Sequence, residues 1–158
     1  MKTCATIVGF LACWLAGPAA LADAGHDHDK GYTFGSPGRD NEAGRTVEVL
    51  ASDDMRFSPG KLDVRLGETV RFLVKNAGKI KHEFALGDRA SQRAHALMMK
   101  KMPDMKHVGD LAAVTIEPGE TKTLVWKFDK KPASPIEIAC HEPGHYEAGM
   151  KVNVTWAK

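Results

Sequence analysis

From Thr46 onward, apolar and polar residues alternate with a period of two, a pattern that fits half-buried strands and little else. Val47, Val49 and Ala51 form the first run, and Phe57-Ser58-Pro59-Gly60 reads as a turn. Leu62, Val64 and Leu66 resume the alternation, and Gly67-Glu68 turns the chain into Val70, Phe72 and Val74. Asn76-Ala77-Gly78 breaks that run before His82 to Leu86. Four more runs follow: Val114 to Ile116, Thr121 to Phe128, Ile136 to Ala139 and Lys151 to Trp156. Pro118-Gly119 and Pro143-Gly144 mark turns among them. The pattern predicts an all-β chain, an antiparallel Greek-key sandwich or barrel of seven to eight strands. One segment departs from it. Arg89 to Met102 is rich in helix formers, lacks alternation and is followed by Pro103, so a short helical insertion is expected there.

Ahead of the strands lie two other kinds of sequence. Lys2, the apolar run Ile7 to Leu15 and the small-x-small string Ala20-Leu21-Ala22 read as a secretory signal, residues 1–22, cleaved after Ala22. The apolar run is too short to span a bilayer, and Gly17-Pro18 would break an anchor helix. Export to the periplasm follows. Residues 23–45, rich in Gly, Asp and His, read as a flexible lead-in, leaving 46–158 as the folded domain. His26 and His28 fit a solvated tail better than a metal site, since a short His tract is only compositional.

Charge and cysteine count narrow the function. Lys and Arg number 22 against 20 Asp and Glu, a net charge of +2, so no strong field draws the chain to nucleic acid. Of its three cysteines, Cys4 and Cys13 leave with the signal. Cys140 then enters an oxidising compartment alone, with no internal disulfide available, and a metal is the natural occupant of its thiol, with intermolecular pairing as the alternative.

Cys140 opens the string Cys-His-Glu-Pro-Gly-His-Tyr-Glu-Ala-Gly-Met, residues 140–150. Within it, His141-Glu142-Pro143-Gly144-His145 matches the H-E-x-x-H pattern of zinc proteases. That chemistry needs both histidines one turn apart on a helix, and Pro143-Gly144 places the string in a loop instead. Thiolate and thioether are soft ligands, and with imidazole they favour copper held as both Cu(I) and Cu(II). Cys140, His145 and Met150 supply three donors of a set made of two histidines, one cysteine and one methionine. His82, at a strand edge after Asn76-Ala77-Gly78, is the best candidate for the fourth.

The C-x4-H-x4-M loop, the segment Asn76 to Phe84 (N-x-G-x3-H-x-F) and the all-β pattern together resemble a cupredoxin, or type 1 blue copper protein. The likeness covers about Thr46 to Trp156. The loop ending and Met102-Pro103-Asp104-Met105 are similar to periplasmic bacterial cupredoxins associated with copper tolerance. The resemblance implies one type 1 copper on His82, Cys140, His145 and Met150. It also implies electron passage near His145 through an apolar patch including Pro143, Gly144, Tyr146 and Ala148. Two positions depart from many cupredoxins: Glu83 follows the first histidine and His141 follows the cysteine. His141 reads as a polar loop residue rather than a ligand or relay.

The expected function is a monomeric, non-enzymatic one-electron carrier for a redox partner, because four ligands leave no position for substrate. The alternative is a copper-handling protein of a tolerance system, working with a copper-transfer partner. On a helix, His95, Met98, Met99 and Met102 share one face. Such a stripe packs a core readily. The flanking Lys100 and Lys101, and the soft donors Met105 and His107 beyond Pro103, also raise a weaker Cu(I) site around Met98, Met99, Met102, Met105 and His107.

Overall fold

The computed structural model describes residues 31–158 except 105, 106 and 108. The signal segment, His26, His28, Cys4, Cys13 and Met105 therefore lie outside the described residues. Two five-stranded sheets face each other. The first is built from β1 (Ser36–Pro37), β2 (Arg45–Ser52), β3 (Arg56–Ser58), β5 (Thr69–Asn76) and β8 (Thr121–Lys127), in the order β1-β8-β5-β2-β3. The second holds β4 (Leu62–Val64), β6 (His82–Asp88), β7 (Ala113–Ile116), β9 (Ile136–Ala139) and β10 (Lys151–Trp156), in the order β4-β10-β9-β6-β7. One helix, α1 (Arg89–Lys101), follows β6, where the insertion is expected. No helix of the described residues is long and apolar enough to cross a membrane.

The fold is a β-sandwich, with two differences from the expected plan. Among the described residues there are ten strands, the eight expected runs plus β1 and β3. These two are only two and three residues long, too short to show an alternation. Two pairings are parallel, β2 with β5 and β4 with β10, whereas an antiparallel arrangement is expected. The cause is a change of sheet. After β3 the chain crosses to the other sheet as β4 and returns as β5 beside β2, and such a crossover can bring a strand back in the same direction. Residues 31–45, within the expected lead-in, carry β1 and a 3-10 turn at Asp40–Glu42. Phe34 there is buried and stacks on Trp126, ring centres 5.0 Å apart.

The two sheets meet through aromatic rings. Phe84 of β6 packs against Phe57 of β3 and Phe72 of β5, with centroids 5.9 and 5.3 Å apart. Burying a side chain of this size contributes about 1.5–3 kcal/mol relative to leaving it exposed. Strand β6 is buried along its whole length. Its alternation sends Phe84 and Leu86 into the inter-sheet core. Its other face lies under α1, whose Gln92 donates to the carbonyls of Ala85 and Glu137, both at 2.9 Å. Asp88 caps the helix by accepting from the Ser91 amide at 2.9 Å.

Candidate metal centre

His82 is the first residue of β6, and Cys140 directly follows the last residue of β9, its antiparallel neighbour. Two adjacent strand ends thus deliver an imidazole and a thiol to one end of the sandwich. His145 comes from the loop between β9 and β10. The three donor atoms converge: His145 Nδ1 lies 3.3 Å from Cys140 Sγ and 3.3 Å from His82 Nδ1. One ligand atom from each of the three residues lies within 4.8 Å of the others. His82 and Cys140 are wholly buried, and His145 is half-buried. Met150 is also wholly buried, and its carbonyl accepts from the Cys140 amide at 3.1 Å, closing the base of the loop.

The loop is a chain of turns, not a helix. The His145 amide bonds to the Glu142 carbonyl, that of Ala148 to Gly144, and that of Met150 to His145, at 3.0 to 3.1 Å. His141 and His145 therefore lack the helical spacing that a zinc protease needs. Arg56 of β3 clamps the loop from outside, donating from Nη1 to the Ala148 carbonyl at 2.9 Å. Gly149 has φ +98°, and a Cβ there would stand 3.1 Å from the same guanidinium, so this turn favours glycine twice over.

A second loop positions His82. Asn76, wholly buried, donates from Nδ2 to the carbonyls of Ile80 (2.7 Å) and Ile116 (3.0 Å), and accepts from the Gly78 amide at 2.8 Å. Asp53 accepts from the Lys79 amide at 2.8 Å and lies 3.3 Å from His82 Nε2. That contact fixes the ring and leaves Nδ1 facing Cys140 and His145, the outer-shell support that metal-bound histidines usually have. A Cβ on Gly78 would fall 1.8 Å from Asp53 Oδ1 and push aside the carboxylate that holds His82. Asp53 is a residue that sequence reasoning did not find. It lies in a different loop, with no spacing that ties it to His82.

The donors are prepared for a cation. Burial lowers the pKa of both His82 and His145, so each imidazole presents a free lone pair near neutrality. Burial also pushes the Cys140 thiol up to about 12, against the opposing amide hydrogen bonds of Glu83 and Glu142. A thiol buried in this way becomes a thiolate at neutral pH only when a cation neutralises it, and a soft metal does so. The residues fit copper.

The other sequence candidates separate from this group. His141 bonds through Nε2 to Gln92 Oε1 at 2.7 Å and stacks on Tyr146 at 5.0 Å, the contacts of a polar loop residue. Met98 is half-buried, Met99 buried and Met102 exposed, so the methionines do not share one environment. His107 faces Glu83 and Asp110. Glu83 itself is wholly buried and also contacts His95. Sequence reasoning counts His95 and His107 among the side chains that could handle copper but does not join them to Glu83, because the 12 residues between Glu83 and His95 span a strand and a helix. Around His145, Pro143, Gly144 and Ala148 are exposed and Tyr146 is half-buried.

Residues 45–157 match the model of a family described as copper binding proteins, plastocyanin/azurin family. The chain is 48% identical over 141 residues to the copper-resistant cuproprotein CopI of Rubrivivax gelatinosus, covering 83% of this chain and 84% of that protein. It is 36% identical to the copper-resistant cuproprotein CopI of Pseudomonas aeruginosa, over 89% of this chain and 90% of the relative. Among solved structures, the reduced auracyanin of Roseiflexus castenholzii superposes with a TM-score of 0.60 at 20% identity, over 73% of this chain and 99% of that one. At that identity the superposition speaks for the fold alone.

Proposed function

Because the chain belongs to the plastocyanin/azurin family of copper-binding proteins, we propose that it holds one redox-active copper on His82, Cys140 and His145, with Met150 as a weak axial ligand, in the service of copper resistance. The convergence of His82 Nδ1, His145 Nδ1 and Cys140 Sγ at one buried point is the observation that carries this reading. A trigonal set of two imidazoles and a thiolate, with a long axial thioether, accommodates Cu(I) and Cu(II) alike. Such a centre binds a metal and exchanges one electron. It offers no substrate position, so the protein is read as a non-enzymatic copper protein. Resistance is favoured by the relatives, which carry that role in their names at 48% and 36% identity.

Single-electron transfer to a redox partner is the second reading. It is supported by the half-buried ring of His145 beside exposed Pro143, Gly144 and Ala148. An edge of this kind brings a partner close to a ligand of the copper. Both readings place the mature protein in the periplasm after cleavage behind Ala22, acting as a monomer.

Two experiments test this. Cys140→Ser should abolish the intense visible band of the oxidised protein, because a hydroxyl cannot replace a soft thiolate. A band that survives the change would remove the ligand assignment. Copper sensitivity of a deletion strain with intact respiratory electron flow would favour resistance. The opposite phenotype would favour electron transfer.

A further inference from the structure

A second group of donors lies on the other face of β6. Glu83 follows His82 in the chain, and the alternation of the strand turns its side chain away from Phe84, toward α1. His95 from α1 hydrogen-bonds Glu83 Oε1 through Nε2. His107, from the segment after the helix, brings Nε2 to 3.5 Å from Glu83 Oε2. The two imidazole rings are 4.8 Å apart, centre to centre. One donor atom from each of the three residues lies within 4.8 Å of the others. These side chains are almost shut off from water: Glu83 is 0% exposed, His107 1% and His95 11%.

The group is not satisfied as it stands. Glu83 Oε2 and both ring nitrogens of His107 are buried without a hydrogen-bond partner. Thr115, directly opposite Glu83 across the β6–β7 ladder, buries a hydroxyl that also has none. Leaving such an atom buried without a partner is costly, and more so where the group is charged. Folded proteins rarely leave several together unless something else belongs there.

We propose that Glu83, His95 and His107 form a second metal site, taking a divalent transition ion, with Cu(II) bound more tightly than Zn(II). One carboxylate and two imidazoles are hard to borderline donors, suited to a divalent ion rather than to Cu(I). The order of affinity follows from the general preference of nitrogen and oxygen sites for Cu(II) over Zn(II). Three protein donors leave room for water in the remaining positions, with the Thr115 hydroxyl across the ladder as a hydrogen-bond partner. The site differs in kind from a methionine-based Cu(I) cluster, although His107 figures in both. It stands beside the His82–Cys140–His145 centre without sharing a ligand with it.

The test uses the mature chain carrying His26→Ala and His28→Ala, which removes the N-terminal histidines as competing ligands. Cys140→Ser and His145→Ala are added, removing both the thiolate and one of the two imidazoles that could still hold Cu(II) at the first centre, and Cu(II) is then titrated with electron paramagnetic resonance as readout. One equivalent should bind with an axial signal split by nitrogen nuclei. His95→Ala or His107→Ala should each weaken it at least about tenfold, and the pair should abolish it. The same two substitutions in a background with Cys140 and His145 intact should leave the visible band in place, which shows that the variants fold. His107→Gln, which keeps the volume of the side chain, serves as a gentler second variant and should weaken binding likewise. Three outcomes overturn the site: no bound equivalent, binding unchanged in the His95/His107 pair, or binding lost through Met98→Leu with Met102→Leu instead. None of them touches the thiolate centre, whose own test is the visible band.

Discussion

The backbone amide of Glu83 donates to Cys140 Sγ across 3.3 Å. Glu83 thus meets the thiol through its main chain and His95 and His107 through its side chain, one group on each face of β6. An amide pointing at a thiolate stabilises negative charge on sulfur, and such contacts tune a copper centre. A divalent ion bound by the Glu83 carboxylate would add positive charge one residue from His82. Positive charge nearby favours Cu(I), the form with one less positive charge. Adding Zn(II) to the copper-loaded protein should therefore raise the reduction potential of the thiolate centre. The rise should vanish in the His95→Ala, His107→Ala protein. Voltammetry with and without Zn(II) decides it, and an unchanged wild-type potential counts against coupling.

Met150 should tune the copper more than it retains it. A long thioether contributes little binding, but it favours Cu(I) over a hard oxygen donor. Met150→Gln is expected to keep its copper and its colour and to lower the potential by at least about 59 mV, a tenfold change in a one-electron equilibrium. An unmoved potential would mean that another group is the axial ligand.

Asn76 holds the turn that aims His82. Its replacement by Ala strips partners from the buried carbonyl of Ile116 and from the partly buried Ile80 carbonyl and Gly78 amide. At about 1 kcal/mol or more for a buried group left unpaired, and less where water reaches it, Asn76→Ala should cost about 1–3 kcal/mol. Urea unfolding of the metal-free protein measures this. A loss below about 1 kcal/mol would show that water or backbone movement replaces the side chain.

The candidate copper centre was legible because its chemistry is local. Cys140, His145 and Met150 lie in one loop, and soft donors at short spacing point to few metals. His82 needed only a strand edge and the turn signal before it. The parallel pairings were not legible, since alternation fixes the face of a residue but not the direction of its neighbour. Asp53 and the Glu83–His95–His107 group were hidden for a related reason. Their members come from separate elements, and only the docking of α1 on β6 unites the buried three. The methionine stripe keeps its helical spacing on α1, with Met98 half-buried, Met99 buried and Met102 exposed.

Asp88 ties the helix, and with it His95, to the sheet. Its carboxylate accepts from the Ser91 amide at 2.9 Å and from the Ser91 hydroxyl at 2.8 Å, and it takes a further bond from Thr33 at 2.5 Å. Burial alone would raise its pKa, but the hydrogen bonds of Thr33 and Ser91 outweigh this, so the pKa lies below the usual aspartate value. The sign follows from linkage. A carboxyl whose folded pKa is depressed contributes stability above the unfolded value, about 3.9. That contribution is lost as pH falls through the folded pKa. Asp88→Ala should therefore destabilise the protein by about 0.5–2 kcal/mol at neutral pH, the range for loss of an N-cap. The gap between wild type and variant should narrow as the pH is lowered below about 4. Asp88→Asn keeps an acceptor without the charge, so it should cost less and show a flatter pH dependence. Thermal unfolding of the three proteins at neutral and acid pH distinguishes these outcomes. A gap that stays constant with pH would mean that the carboxylate acts through packing alone.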